Sequence, residues 1–348
     1  MNKKRLDDLT GVSQVTPSEA GAHEAPLLRM AELFSVSRWY IKVLIIGASL
    51  LIPFLVQSNY VMRVIIYIHL YIVLALGLNV VMGFTGLLNI GHAAFYATGA
   101  YTTAILMTSY GLPFWLTVPV GMAIGVLFGL AIGFPTLRLR DDYLAMVTLS
   151  FGQIVYIVAN NWTGLTRGPR GIPAIPPPTI GLPGWSLSFD SYRAYYYLIL
   201  FFVFLTVYAC VRVRDSRVGL AWMAIREDED VAAVMGINLG LYKTLSFAFS
   251  AALGALAGSF FSVFQSFVSP NSFTILESVT IVTIPILGGL GSIPGTILGA
   301  IIIIGIPEIF RAASEYRMVA VGAFMVVMMI FRPQGLLGKR LYQPTYKI

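Results

Sequence analysis

The chain has 348 residues, of which 57% are hydrophobic and only 11% are charged, and its mean hydropathy is +0.80. Soluble globular domains carry about 25% charged residues, so this composition excludes a water-soluble protein. Apolar runs close to the roughly 20 residues that a membrane-spanning helix needs recur along the chain. The composition therefore predicts an all-α, polytopic membrane protein of about ten helices.

The chain is predicted to consist of two polar tails and one membrane-spanning domain. Residues 1–40 form the N-terminal tail, residues 41–332 the spanning domain and residues 333–348 the C-terminal tail. The first tail holds no apolar core behind its basic start, as a secretory signal would require. Ten spans are predicted, at 41–57, 62–82, 87–108, 113–134, 142–160, 195–213, 244–265, 273–290, 295–311 and 316–332.

Lysine and arginine predict the orientation of these spans. If both termini face the cytoplasm, 17 of the 23 basic residues lie on the inner side and 6 on the outer side. Inner loops carry the excess of Lys and Arg in membrane proteins, so residues 160–194 are expected outside and residues 214–243 inside. The net charge of +7 is explained by this bias, and no nucleic acid is expected as a partner.

Two glycine-rich segments are predicted to break helices. They are Gly83–Gly91 and Gly288–Gly295, each following a span that runs from the outer to the inner side. Irregular backbone in a membrane is tolerated only where it is buried in protein or lines a cavity, and broken helices often surround transport sites. The alternative interpretation is that these glycines allow close helix packing through small residues. The sequence does not decide between the two interpretations.

Polar residues and glycines near the first break are the candidates for a transport path. A helix start exposes backbone N–H groups and partial positive charge, which suits a carboxylate ligand. His92 taken alone is more often a packing residue than a ligand contact. The candidates are Asn79, Thr85, Gly86, Asn89, Gly91, His92, Tyr96 and Gln153.

The positions of the acidic residues indicate how transport along such a path would be driven. Glu277 and Glu308 are expected near the outer ends of their spans, and no acid is expected at mid-membrane. An ion-coupled carrier usually needs a carboxylate near the midplane, so an external energy source is favoured over a secondary carrier. An intramembrane enzyme is disfavoured because no Gly-x-Ser-x-Gly elbow or His/Glu metal motif occurs. No catalytic residue, metal or cofactor is expected.

The charged segment Ser216–Gly236 is the most informative stretch on the inner side. Trp222 and Ile225 supply an apolar face to one short helix. The acids Glu227–Asp230 suit the first turn of a second helix, and Gly236 suits its left-handed end. The segment is read as a docking element for a soluble partner, with a solvated charged loop as the alternative.

The chain resembles the larger permease subunit of bacterial ATP-binding-cassette (ABC) importers for branched-chain amino acids (LivM type). Six segments carry the resemblance in order: GFTGLLNIGHAAFYATGAY (83–101), LTRGPRGIPAIPPPTIG (165–181), AIREDEDVAAVMG (224–236), FVSPNSFTILES (267–278), LGGLG (287–291) and FRPQGLL (331–337). The resemblance implies a bacterial inner-membrane subunit that works with a second permease, two cytoplasmic ATPase chains and an external binding protein. No phosphate-binding loop occurs in this chain, so the ATPase must be another chain.

The resemblance also implies roles for individual residues. The run from Asp230 to Gly236 is similar to the Glu-Ala-Ala-x3-Gly coupling loop of ABC permeases, although Asp replaces Glu and Val replaces the first Ala. Arg167 and Arg170 depart from the family pattern, so they are expected to meet carboxylates of the binding protein. Leucine, isoleucine and valine are the expected cargo, and urea, short amides or other amino acids are the alternative. The coupling residues are Trp222, Ile225, Arg226, Glu227, Asp228, Glu229, Asp230, Ala232 and Gly236.

Overall fold

The computed structural model describes residues 47, 49–136, 141–182, 185–309, 322, 326 and 335–337. The chain divides into two compact units, Met1–Gln57 and Ser58–Ile348. Residues 49–55 of the first unit are helical, and every element considered below belongs to the second unit. The predicted tails lie outside the described residues, apart from residues 335–337.

The second unit consists of long apolar helices joined by short connections. The helices are α1 Asn59–Asn79, which continues as a π-helix at Val80–Phe84, α2 His92–Tyr110, α3 Phe114–Thr136, α4 Asp141–Asn161, α5 Thr163–Thr166, α6 Tyr192–Arg214, α7 Arg217–Glu227, α8 Glu229–Val234, α9 Leu239–Gln265, α10 Ile275–Gly288 and α11 Ile293–Ile309. The strands are β1 Ile172–Pro173, β2 Thr179–Leu182, β3 Trp185–Ser188 and β4 Phe267–Val268. Turns of 3-10 helix occupy Gly168–Arg170 and Pro270–Phe273.

Among the described residues, six helices are long and apolar enough to cross a bilayer, and Ile293–Gly305 forms a shorter apolar helix. The polytopic helical class is therefore confirmed, whereas the count of ten is not. Of the span predicted at 41–57, residues 47 and 49–57 are described, and residues 49–55 are helical. The span predicted at 316–332 lies mainly outside the described residues. The span predicted from residue 87 begins instead at His92, because residues 85–91 form an irregular connection.

Short polar side chains set the starts of four helices. Ser191, Ser216, Asp228 and Asn238 each accept a hydrogen bond from the backbone N–H three residues further on, at 2.9–3.3 Å. An N-cap side chain of this kind replaces a partner that the first turn of a helix lacks. The boundaries of α6, α7, α8 and α9 are thus encoded locally.

Helix α9 lies at the centre of the unit and packs against α1, α2 and α3. Close approach depends on small residues: a Cβ built on Gly99 of α2 would lie 2.0 Å from the carbonyl oxygen of Ala255, and one on Gly125 of α3 would lie 2.7 Å from the Ala255 Cβ. A buried cluster fills the space between these helices and α4. It comprises Val81, Leu87, Phe95, Ile132, Leu144, Phe247 and Ala251.

Four short strands depart from the all-α expectation. Strand β1 pairs antiparallel with β4, with Ile172 opposite Val268, and β2 pairs with β3 as a hairpin. Proline lacks a backbone N–H and disrupts the interior of a helix, and residues 173–178 contain four prolines. The segment between α4 and α6 therefore pairs as strands, and β1 joins it to the connection that follows α9.

We expect Gly99→Ala to destabilise the protein, since the new methyl group would force α2 and α9 apart. Overpacking of this kind costs about 1–3 kcal/mol. The measurement is thermal unfolding of the purified protein in detergent. The matched control is Gly164→Ala, because nothing lies within 4 Å of a Cβ at Gly164. Equal unfolding temperatures for the two variants would contradict this packing.

Candidate functional site

The two glycine-rich breaks meet each other, although 212 residues separate their contact. The backbone N–H of Gly291 donates to Oδ1 of Asn79 at 2.9 Å. A Cβ on Gly83 would lie 2.4 Å from the Gly291 nitrogen, so only glycine permits this approach. Asn79 is 1% exposed and is therefore a structural link between the end of α1 and the turn after α10.

Arg226, on α7, contacts both glycine-rich breaks at this point. Its Nη1 donates to the carbonyl oxygen of Gly83, and a Cβ on Gly291 would lie 2.8 Å from that Nη1. The side chain also covers Gly86, where a Cβ would lie 3.1 Å from the Arg226 Cγ. Burial lowers the pKa of Arg226, with Glu227 opposing the effect. We call the set Asn79, Gly83, Arg226 and Gly291 the break junction.

Helices α7 and α8 are fastened to the bundle by several predicted coupling residues. Trp222 is 1% exposed, and its Nε1 donates to the carbonyl oxygen of Tyr242 at 2.7 Å. Ile225 and Ala232 are also buried. Glu229 forms an ion pair with the buried Lys243 of α9. These four residues of the predicted set therefore hold the two helices in place.

The outward surface of α8 is formed by other residues. Val231, Val234 and Met235 are 58%, 87% and 76% exposed. The neighbouring acids Glu227, Asp228 and Asp230 are exposed as well. Gly236 follows with φ of +86°, so the predicted left-handed end of the second helix is confirmed. The three apolar residues were not in the predicted set, and only their exposure distinguishes them from core residues.

The candidates between the two helices of the first break have local structural partners. Thr85 Oγ1 donates to the carbonyl oxygen of Val80 at 3.3 Å, and Asn89 Oδ1 accepts from the Gly91 N–H at 3.0 Å. Gly91 lies against α4, where a Cβ would meet the Thr148 carbonyl oxygen at 2.0 Å. The Nδ2 of Asn89 is buried without a hydrogen-bond partner among the described residues, so both N–H donors of this amide group are unpaired there.

The candidates on the following helices differ in exposure. His92 is fully buried, with Nδ1 3.5 Å from Ser250 Oγ and its ring edge-on to Phe95, which favours the packing interpretation. Tyr96 is 3% exposed and packs against two phenylalanine rings. Gln153 is half-buried on α4. A hydrophilic path through this set is not visible in the described residues.

A stripe of polar side chains along α1 was not foreseen. Arg63 Nη2 and the hydroxyl of Tyr67 both donate to Oε1 of Gln265, at 3.2 and 3.0 Å. One turn further on, the hydroxyl of Tyr71 donates to Oε1 of Glu277 at 2.7 Å. Spacing by four places residues 63, 67 and 71 on one face of the helix. We call these five residues the polar stripe.

The stripe indicates the height of Glu277 relative to α1. Asn59–Phe84 has 26 residues and is about 39 Å long at roughly 1.5 Å per residue. Tyr71 is at its midpoint, so the Glu277 carboxylate is level with the middle of this span. Glu277 does lie in the first turn of its helix, but that helix has only 14 residues and begins deep in the bundle. Glu277 is therefore near the start of its own helix, as expected, but level with the middle of α1.

A cavity of about 340 Å³ opens between α2, α3 and α4. Its lining is almost entirely apolar and includes Ile105, Ile124, Val155 and Val158. Such a surface suits hydrocarbon better than a charged amino acid, so the cavity is not the better candidate for the substrate path.

Arg167 and Arg170 lie on the connection between α4 and β1, and both are exposed. Arg167 has φ of +61°. The following strand pairs with β4, and the hydroxyl of Thr166 donates to the Ala159 carbonyl oxygen at 2.6 Å. The structure thus presents both guanidinium groups on an ordered connection at the end of the bundle opposite α7 and α8.

Comparison with known proteins agrees with this arrangement. Residues 60–332 match the family model described as branched-chain amino acid transport system / permease component. The high-affinity branched-chain amino acid transport system permease protein LivM of Escherichia coli is 45% identical over 287 residues, which cover 77% of this chain and 68% of the relative. LivH of the same organism is 27% identical over 288 residues, covering 77% and 91%. No solved structure matches the chain.

The broken helices, the polar stripe and the apolar spans define a multi-pass membrane transport protein. The chain belongs to the family of permease components of branched-chain amino acid transport systems.

We expect Arg226→Met to lower the stability of the protein, because the Gly83 carbonyl oxygen would lose the donor seen in the break junction. An unsatisfied buried acceptor costs about 1–3 kcal/mol. The matched control is Arg217→Met on the same helix, since Arg217 is exposed. Thermal unfolding in detergent measures both variants. The junction is not a stabilising contact if Arg226→Met unfolds at the temperature of the control.

Proposed function

We propose that this chain is the permease subunit of an ABC importer that carries leucine, isoleucine and valine across the bacterial inner membrane. The importer would also contain a second permease subunit, two cytoplasmic ATPase chains and an external binding protein. The observation that carries this proposal is the family match over residues 60–332, with relatives named for branched-chain amino acid transport. The chain itself supplies the path and the docking surfaces, and it performs no catalysis.

The end of the bundle that carries α7 and α8 is assigned to the cytoplasm. Arg212, Arg214, Arg217, Arg226 and Lys243 lie at this end, and basic residues concentrate on the inner side of membrane proteins. The β1–β4 end is then external, and both termini are cytoplasmic. In domain terms, residues 160–194 form the external loop and residues 214–243 the coupling loop.

The exposed surface of α8 is the proposed contact with an ATPase subunit. Val231, Val234 and Met235 form an apolar patch with acids beside it. Exposed apolar residues in water indicate a protein interface when they are contiguous, and the acids would orient a basic partner. The inward side of the same unit is fixed by Trp222 and Glu229, so α7 and α8 would move as one body.

Arg226 provides the proposed route from this docked body to the transport path. It is the last but one residue of α7, and its guanidinium contacts the break junction. A displacement of α8 by the ATPase would therefore act on the ends of α1 and α10 together. Packed interfaces tend to switch between discrete arrangements rather than deform continuously, so a small displacement at α8 could open or close the bundle.

The opposite end is the proposed docking surface for the binding protein. Arg167 and Arg170 would meet carboxylates there, because complementary charges steer association and fix its register. The β1–β4 pairing gives their connection a fixed backbone. Arg63 lies at the same end and marks the start of the polar stripe.

The function is tested by reconstituting the complete importer in vesicles and measuring uptake of labelled leucine. We expect uptake that requires ATP and the binding protein. Val234→Asp should reduce ATPase co-purification about tenfold or more, since a central apolar contact contributes about 2 kcal/mol or more to an interface. The matched control is Val234→Leu, which keeps the patch apolar.

Two outcomes would contradict the proposal. Wild-type retention of the ATPase by Val234→Asp would exclude α8 as the contact. Leucine uptake by the isolated chain without ATP would instead indicate an ion-coupled carrier, the alternative that the mid-membrane position of Glu277 favours.

The orientation is tested separately by reporter fusions. A reporter after residue 230 should read as cytoplasmic and one near residue 180 as external, because the distribution of Lys and Arg requires it. The two fusions control each other, as they lie on connections at opposite ends of the bundle. An external signal from residue 230 would exclude contact between α8 and a cytoplasmic ATPase.

A further inference from the structure

The carboxylate of Glu277 is in an unusual electrostatic situation. It lies level with the middle of α1, among helices whose exposed surfaces are apolar. Ionised side chains at this depth are costly, and they normally pair with a cation or face a polar cavity. Among the described residues the ion pairs are Arg214–Asp215 and Lys243–Glu229. No described lysine or arginine therefore neutralises Glu277.

The surroundings of Glu277 are tyrosine-rich. The hydroxyl of Tyr71 donates a hydrogen bond to Oε1 of Glu277. The phenol of Tyr96 is close enough to interact electrostatically with Glu277 and with the phenols of Tyr67 and Tyr71. A carboxylate offers about four lone-pair positions, so one hydrogen bond leaves acceptor capacity for a ligand. Glu277, Tyr71 and Tyr67 are half-buried, so none of the three side chains is fully enclosed by the described residues.

The stripe leads from the external end to this carboxylate. Arg63 and Gln265 lie at its start, and the Tyr67 ring packs edge-on to Phe264, with ring centroids 5.5 Å apart. An amino acid entering here carries an ammonium group, a carboxylate and an apolar side chain. In a medium of low polarity each charge needs a partner, and Glu277 is the anion available at mid-height among the described residues.

We propose that Glu277 binds the α-ammonium group of the transported amino acid as it crosses the bundle, with Tyr71 holding the carboxylate in position. The inference rests on the proposed function and adds the residue that discriminates a zwitterionic amino acid from an uncharged amide. Asn79 and His92 already contact Gly291 and Ser250. The group proposed to bind the ammonium at the level of the middle of α1 is therefore Glu277 of α10.

The test uses the complete importer in vesicles, with saturating binding protein and labelled L-leucine. Glu277→Gln keeps an oxygen that can accept the Tyr71 hydrogen bond but removes the charge. We expect it to lower the uptake rate about tenfold, the size of effect that loss of a charged hydrogen bond produces. Glu277→Asp should restore part of the rate. Assembly of the complex and ATPase activity stimulated by the binding protein should stay at wild-type levels.

Two further variants separate binding from structure. Tyr71→Phe removes the hydrogen bond and keeps the charge, so it should lower uptake less than Glu277→Gln does. Glu308→Gln makes the same chemical change on α11 and should leave uptake unchanged.

Three results would overturn the inference while leaving the proposed function intact. They are wild-type uptake by Glu277→Gln, an equal or larger loss in Tyr71→Phe, and reduced complex assembly in Glu277→Gln, which would assign the carboxylate to a partner subunit's cation. Absence of leucine uptake by the wild-type importer would overturn both proposals.

Discussion

The need to satisfy backbone groups where helices are interrupted governs this structure. The end of α1 and the turn after α10 leave polar groups inside an apolar bundle, where an unpaired group costs free energy. Asn79 accepts from Gly291, and Arg226 donates to Gly83. Both contacts require glycine, since a side chain at Gly83 would fill the space that Asn79 and Gly291 occupy. Three distant segments are thereby held together at one point.

This constraint places the charged side chain of Arg226, from the short helix α7, at the ends of the two helices α1 and α10. The remaining contacts of α7 and α8 are directed into the bundle through Trp222 and Glu229. The outer surface of α8 is left free, with Val234 at 87% exposure. One small two-helix unit therefore combines a fixed inner side with an open outer side, as a transmitting element requires.

Polar side chains are unevenly distributed within the bundle. Tyrosines and Gln265 follow one face of α1 from the β1–β4 end to mid-height, where Glu277 is reached. The apolar cavity between α2, α3 and α4 offers nothing comparable. The chain covers the first part of this depth as the 3-10 turn Pro270–Phe273, before α10 begins. Glu277, in the first turn of α10, therefore lies some distance from the end of the bundle.

The sequence alone determined the helical membrane class, most span positions, the breaks at the two glycine-rich segments and the left-handed backbone at Gly236. Each of these depends on local composition, on hydropathy or on the conformational range of one residue. The sequence also supplied the family resemblance. It did not reveal that Arg226 points to Gly83 or that Glu229 pairs with Lys243, because a charge run has the same pattern whichever way its side chains face.

Tertiary structure alone decided the level of Glu277 relative to α1 and the contacts that the path candidates make. A residue's position within its own helix is local, but its depth in the bundle depends on where that helix begins relative to its neighbours. Asn79 contacts Gly291 and His92 contacts Ser250, and both partners lie far away in the sequence. Depth and long-range pairing follow from how the helices assemble, and no local pattern encodes them.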